Sequence, residues 1–506
     1  MKQKIIRNTI SCGASSVITI FANFLLMPYM ILKLGVIEYG LIGISAIFTV
    51  GGCISMLEMG FQSSISKFVA EYNTKNDHIK IAKIIFTSTV MFLLIGLILT
   101  IIGVLLSALV VGNLLKIPEE YHLSFRIALL VVFSSYIFQF PNFVAVGFLT
   151  GMQRFDILKG TQIVITLLYA GGVVFLLWLG HNYLSIIIFQ TCMLFLQFTF
   201  YSWWILKGNK FLRFKLSNFS IGSMGEVFRM TKFLFINKLS DMIFHNSPRI
   251  IIGAFLGPIV MTSYEAVIKI SRAIKTTLGF INSAIMPAAS ELYANENTVI
   301  LRKLFLKACL YQVVAVFPVV AGIMFLAKDF YKVWLGPDFV ELAPLLWIAL
   351  VYNLITPFIT VGGAMMIGMN RKLKTLTLLM ITNACLNVAI ILLLIQKYEL
   401  TGVFIGLSLS TLAMSPFYLK MFFKEFTIKT GFFLRKIAIV AVLVIFPLIF
   451  VSLINRIVVH NNYFTLFLKG FMWCLIYWSM LYIFVLDYQD RDTLKGLGRA
   501  LCWQRR

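Results

Sequence analysis

The chain has 506 residues, of which 60% are hydrophobic and 13% charged, with a mean hydropathy of +0.92. That much apolar surface exceeds what a soluble core can hide, which excludes a soluble globular protein and points to an integral membrane protein of all-α class. A net charge of +24 would suggest nucleic acid in a soluble chain, but here Lys and Arg punctuate apolar runs and form no K/R-rich tail, so no nucleic-acid partner is expected.

A hydrocarbon layer about 30 Å thick takes roughly 20 apolar residues per helix. On that measure the sequence predicts fourteen spans, over residues 9–32, 39–62, 84–107, 124–149, 161–180, 184–206, 231–256, 259–288, 305–327, 341–367, 373–395, 400–419, 437–454 and 463–486. The first follows MKQKIIR, a start that resembles a secretory signal; the run is long enough to span and lacks an A-x-A-like cleavage site, so it reads as a span. The seven cysteines form no C-x-x-C pair and have no His at metal-ligand spacing, so neither disulfide nor metal is expected, and no other cofactor is implied. Between the spans, the longest connection runs from Lys207 to Met230, is basic and is expected to include an amphipathic helix.

Lys and Arg collect on the cytoplasmic side of membrane proteins. With the N-terminus inside, 31 of the 44 fall in inside segments, 6 in outside segments and 7 within spans. Both termini are therefore expected in the cytoplasm. The chain also repeats itself: Leu34-Gly35 matches Leu256-Gly257, Lys116-Ile117-Pro118 matches Leu335-Gly336-Pro337, and GMQR from Gly151 matches GMNR from Gly368, all at offsets near 220. An even count of six spans per repeat gives both copies the same topology. The expected organisation is an N-lobe over 1–206, a basic cytoplasmic linker over 207–230, a C-lobe over 231–420, and two further spans with a basic tail over 421–506. Transporters built from such repeats hold substrate between the lobes and rock one against the other.

The charges that an apolar chain tolerates least lie between Lys238 and Lys275. On a helix, Lys238, Asp241, His245 and Arg249 share one face, and after the Leu256-Gly257-Pro258 turn Glu265, Lys269, Arg272 and Lys275 repeat the arrangement. A charge at the centre of a lone helix costs about 2.5–3.5 kcal/mol on insertion scales, so such residues face a bundle interior or an aqueous cavity. Two readings stand beside each other. In one, Arg249, Lys269, Arg272, Lys275 and Lys238 line an anion-attracting cavity, with Asp241, His245 and Glu265 as ion or proton coupling groups. In the other, Asp241 pairs with Lys238 or His245 and Glu265 with Lys269, which accounts for at most two of the five cations. Pro248 should kink the helix beside Arg249, as a bending point or as an ordinary kink.

In the first lobe, Glu58 reads either as a gate or coupling residue pairing with Lys67 or as an interfacial charge, and Arg126 as a solvated outer residue. Gln139 and Asn142 flank Pro141 and suit either sugar hydroxyls or backbone groups freed by the kink. The tryptophans, among them Trp178, Trp203, Trp334, Trp473 and Trp478, read as an aromatic belt at the span ends. No P-loop and no catalytic constellation is present in the sequence, and no loop is large enough for a glycan acceptor site, so an enzyme is not expected.

The series NTISCGASSVITIFANFLLMPYMILKLGVIEYG from Asn8, LEMGFQSSISKFVAEY from Leu57, GMQRFDILK from Gly151 and PRIIIGAFLGP from Pro248 resembles the polysaccharide-transporter, or O-antigen-flippase-like, branch of the MOP exporter superfamily. The resemblance covers essentially the whole chain. It implies a fourteen-helix, MATE-like fold of two six-helix lobes with two C-terminal helices. The implied activity moves an undecaprenyl-diphosphate-linked oligosaccharide across a bacterial plasma membrane by alternating access, with membrane lipids, glycosyltransferases and a glycan polymerase as partners. The family's cationic cavity carries over only as far as Arg249, Lys269, Arg272 and Lys275 fit it. Pro248 stands where relatives often carry an acid before the Arg, so any pairing role of that acid does not transfer. A lipid II flippase shares the span count and the anionic cargo. A cation-coupled drug exporter would carry acidic residues in span one, where this sequence has none, and a non-transporting scaffold would tolerate loss of the intramembrane cations.

Overall fold

The computed structural model describes residues 2–49, 52, 58, 60–209, 211–212, 221–428, 431, 438, 440, 442–457 and 462–484. Within lipid a backbone can satisfy its own N–H and C=O groups only as helix or closed barrel. Among the described residues the chain forms fourteen α-helices and no strand. They are α1 Lys2–Ser45, α2 Phe61–Thr74, α3 His78–Leu109, α4 His122–Ser134, α5 Tyr136–Gly151, α6 Phe155–Trp178 and α7 Tyr183–Gly208. There follow α8 Ile221–Phe255, α9 Pro258–Ala294, α10 Thr298–Trp334, α11 Ala343–Gly368, α12 Leu373–Glu425, α13 Ile445–Ile457 and α14 Tyr463–Phe484. Nine of the described helical stretches are long and apolar enough to cross a membrane. α8 and α9, with 35 and 37 residues, are long enough but are not among them, since they carry the two charge stripes.

The internal repeat is written into the backbone. Gly35 (φ 79) breaks α1 into arms of 2–34 and 36–45, and Gly257 (φ 83) makes the equivalent turn between α8 and α9. Asn76 and Glu296, both at φ 53, precede the caps of α3 and α10, where Asp77 and Asn297 each accept a backbone N–H at 3.1 Å, from Lys80 and Ile300. Gln153 (φ 55) and Asn370 (φ 54) close the two GM-x-R turns. Gly180 (φ 80) separates α6 from α7, and Glu399 (φ 44) breaks α12 into 373–398 and 400–425. Each pair is offset by about 220 residues, so six successive spans of one copy recur in the other.

Two predicted spans are not single helices. The span expected over 39–62 ends its helical course at Thr49, whose backbone is extended, and re-enters helix at Phe61 after Gly60 in the left-handed region (φ 74). Hydropathy registers the apolar run and is blind to the glycine that lets the chain turn within it. Span four is interrupted for one residue at Ser135, ahead of Pro141, which lies inside α5. Residues 210 and 213–220 of the predicted linker, most of the start of the thirteenth span and the tail beyond residue 484 lie outside the described residues.

Packing groups the chain into two compact units, residues 1–269 with 377–406, and residues 270–376 with 407–506. In the first, α2 and α3 pack on α5 through Phe61, Phe92, Phe140 and Phe143, whose ring centroids lie 5.3 to 6.3 Å apart. In the second, α14 docks on α10: Trp473, 2% exposed, donates its indole N–H to the Pro318 carbonyl at 2.9 Å. Beside it Lys469 Nζ reaches Asp329 Oδ2 at 3.2 Å. Trp473 and Trp334 are thus core residues rather than belt residues, while Trp178 and Trp203 are exposed.

Candidate functional site

The charged hairpin sits where its sequence placed it, on α8 and α9, and the structure adds partners. Arg249 and Glu265 are 7% and 5% exposed, and the Arg249 Nε–H donates to Glu265 Oε1 at 2.7 Å. This is a short, charge-assisted bond across the hairpin, the geometry that lets a buried ion pair survive desolvation. Lys269, one turn after Glu265, donates to the Tyr39 hydroxyl at 2.7 Å. Tyr39 is itself 6% exposed and belongs to the 36–45 arm of α1, in the first repeat. Both contacts lie within the first unit.

That arm and the start of α9 approach unusually closely. A Cβ added at Gly40 would lie 1.9 Å from the Pro258 carbonyl oxygen, and one at Gly43 would lie 2.8 Å from Met261 Cγ. Thr262 donates its hydroxyl to the Val36 carbonyl at 2.7 Å. Only glycine at position 40 lets the two backbones meet.

Pro248 has no N–H, so the Phe244 carbonyl four residues earlier loses its helical partner. Asn387 of α12 supplies the replacement, its Nδ2 donating to Phe244 O at 3.0 Å. The kink at Pro248 is therefore held from a neighbouring helix, directly beside Arg249.

Among the remaining candidates, Asp241 Oδ1 and His245 Nε2 are 3.5 Å apart, the carboxylate half-exposed and the imidazole less so. Arg272 and Lys275 are half-buried on α9, past Ile270 and so in the second unit. Next to Arg272, Ser271 is fully buried, donates to the Tyr352 hydroxyl at 2.8 Å and accepts from Asn353 Nδ2 at 2.6 Å. Lys238 lies on α8, but its side chain is outside the described residues. Glu58 is 4% exposed, in the turn that leads to Gly60, with residues 53–57 and 59 outside the described set. Gln139 donates through Nε2 to Ser135 Oγ, a neighbour one turn away in its own span.

The structure thus brings together Arg249 with Glu265 and Asp241 with His245. Sequence reading missed Tyr39 and Asn387. Asn387 left a signal, a polar amide in an apolar run near the register of the Pro248 kink. Tyr39 left none, since its partner is 230 residues away.

The family profile described as "Polysaccharide biosynthesis protein" matches residues 5–293. No curated protein sequence matches the chain. Among solved structures, a lipid II flippase MurJ in an inward closed conformation is similar, with TM-score 0.72 and 16% identity over 97% of this chain and 100% of that one. An inward-facing multidrug resistance MATE family transporter of the MOP superfamily gives 0.65 and 15% identity, over 84% of this chain and 94% of that one. A MOP superfamily transporter from Pyrococcus furiosus, described by a binding pocket of reverse polarity, gives 0.57 and 17%, over 84% and 96%. With a profile match over more than half its length and these structural relatives, the chain belongs to the polysaccharide biosynthesis protein family and is a multi-pass membrane protein with the fold of the MOP superfamily.

Proposed function

We propose that the protein is a flippase that carries an undecaprenyl-diphosphate-linked oligosaccharide, the repeat unit of O-antigen or a similar surface polysaccharide, from the inner to the outer leaflet of a bacterial plasma membrane. Both termini lie in the cytoplasm on this reading, in line with the bias of Lys and Arg. The lobes over 1–206 and 231–420 alternate access to the cargo. Glycosyltransferases build the cargo before the step and a glycan polymerase consumes it afterwards.

The observation that carries the reading is the charge of the hairpin. Five cations and two acids occupy α8 and α9 from Lys238 to Lys275, in a family tied to polysaccharide biosynthesis. A diphosphate headgroup must be held by fixed donors while it leaves water, and guanidinium and ammonium groups supply them. Arg272 and Lys275, half-buried on α9, are the primary diphosphate ligands, with Arg249, Lys269 and Lys238 in support. Asp241, His245, Glu265 and Glu58 are the titratable groups through which an ion gradient would act. The test is replacement of Arg272 and Lys275 by Ala in cells that depend on this gene for surface glycan. The expected outcome is normal protein level in the membrane, loss of surface glycan and build-up of lipid-linked precursor; undiminished surface glycan would sink the assignment.

A lipid II flippase is the second reading, favoured by the match to MurJ over 97% of the chain. It separates cleanly from the first: rescue of a strain depleted of its own lipid II flippase supports it, and failure to rescue with restored surface glycan supports the first. Export of cationic drugs fits poorly with a hairpin where cations outnumber acids.

A further inference from the structure

Arg249 and Lys269, both nominated for the headgroup, are engaged inside the protein. Arg249 holds Glu265 at 2.7 Å, and Lys269 holds the Tyr39 hydroxyl at 2.7 Å. We infer that these two contacts latch the end of the molecule where α8 turns into α9, and that the diphosphate of the cargo releases the latch by competing for Arg249 and Lys269. The inference rests on the cargo proposed above.

The latched end is closed in this structure. Gly40 abuts the Pro258 carbonyl, Met261 and Leu41 are 0% exposed, and the Thr262 hydroxyl reaches the Val36 carbonyl. No headgroup fits between backbones at that distance. For this end to open, the 36–45 arm of α1 must part from the first turns of α9. Tyr39 ties the arm to the charged stripe through Lys269.

The chemistry of the tie makes it releasable. A phenol is a neutral acceptor, and a phosphate oxygen is a much stronger partner for the same ammonium. Lys269 therefore gains by exchanging Tyr39 for a diphosphate, and the arm loses that one of its ties to α9 in the same step, leaving the Thr262–Val36 bond. Arg249 and Glu265 do a different job. Their bond crosses the hairpin sixteen residues apart, so α8 and α9 move as one piece while it lasts. An anion that draws Arg249 away uncouples the two helices beside the Pro248 kink. The cargo then opens the end through which it must leave, and the empty protein stays shut, which prevents leakage through an unoccupied path.

The test uses the full chain in membrane vesicles, with the seven native cysteines replaced and Met261→Cys as a reporter against the arm. The readout is the rate of labelling by a membrane-impermeant maleimide, with undecaprenyl diphosphate as the probe. Without probe the reporter is protected. Tyr39→Phe should raise the rate about tenfold, as loss of a single hydrogen bond to a charged group allows, and the paired Arg249→Gln/Glu265→Gln variant should do likewise. The paired variant removes both halves of the buried pair, whereas Arg249→Gln alone strands the Glu265 carboxylate. Undecaprenyl diphosphate should raise labelling of the otherwise unaltered reporter protein by a similar factor and add little in the two latch variants. Unchanged labelling in both latch variants overturns the latch. Raised labelling in the variants with no response to undecaprenyl diphosphate overturns the trigger. Neither result bears on whether glycan reaches the surface, so failure of the latch and failure of the flippase reading are told apart.

Discussion

The two repeats open with hairpins of the same design and opposite character. Each has a proline in its first helix, Pro28 or Pro248, and each turns at a glycine with positive φ, Gly35 or Gly257. The first hairpin keeps its charges near its start and its turn (Lys2, Lys4, Arg7, Lys33 and Glu38) with no stripe along a helix, leaves helix at Thr49, and carries Gly40 and Gly43. The second is a pair of continuous helices, and at the positions 222 residues on it carries Thr262 and Glu265. Gly40 makes room for the Pro258 backbone and Gly43 for the Met261 and Glu265 side chains, so the repeat-related arms pack on one another without clash. The two copies share one frame, and the second carries the charge stripes. An internal site in a protein of this kind is found by asking where the two copies differ.

Stripping charge from the second hairpin should have the largest effect. Arg249→Met should cost about 3–5 kcal/mol, because it strands the Glu265 carboxylate in a buried setting. Arg249→Met/Glu265→Met should recover most of the loss, since a well-packed apolar pair avoids the desolvation cost. Thermal unfolding in detergent measures both. If the single and double variants melt alike, the pair is not buried in the way described.

Enlarging the first hairpin comes next. Gly40→Val forces a methyl-bearing carbon against the Pro258 carbonyl and should cost about 1–3 kcal/mol, the usual range for overpacking. Thr262→Val, at the matching position of the second hairpin, loses only a hydroxyl bond and should cost about 1 kcal/mol. An equal effect at the two positions would remove the packing argument.

Smaller again is the support of the Pro248 kink. Asn387→Ala leaves the Phe244 carbonyl unsatisfied and should cost about 1–2 kcal/mol. In a Pro248→Ala background the restored N–H at 248 satisfies that carbonyl, so the same change should cost much less there. Additive effects in the double variant would mean that Asn387 acts by some other route.

The smallest contrast is between the helix caps of the two repeats. The Lys80 backbone N–H, donated to Asp77, holds that carboxyl below the usual carboxylate range. A depressed carboxylate contributes stability that is present above its unfolded pKa and lost as pH falls through the folded one. Hydrogen exchange at Lys80 should therefore quicken as pH drops below the usual Asp range, relative to Ile300, whose cap Asn297 does not titrate. Parallel pH profiles at the two amides would count against this.

Much of the frame was legible. Apolar length located the spans, and the Leu-Gly turns and GM-x-R repeats gave the duplication, because backbone turns need particular residues at particular places. Side-chain partners across helices were not legible. Spacing of three or four residues reveals neighbours on one helix, so it suggested Lys269 for Glu265 and could not suggest Arg249, sixteen residues off, or Tyr39 for Lys269. The interruption of span two escaped for a related reason, since Gly60 costs a hydropathy scale nothing. Trp473 was misread as a belt residue because only the notch beside Gly322 on α10 shows that its ring is covered.

On the function proposed above, the cations of the second hairpin hold the lipid diphosphate as it crosses the membrane. Its most direct test is transport in proteoliposomes, using a fluorescent undecaprenyl-diphosphate oligosaccharide and a quencher confined to one side. The native protein should flip it, and Arg272→Gln/Lys275→Gln should lose about tenfold to a hundredfold in rate, the scale of one or two charge-assisted hydrogen bonds. Equal flipping rates for the two proteins, at equal reconstituted amount, would contradict it.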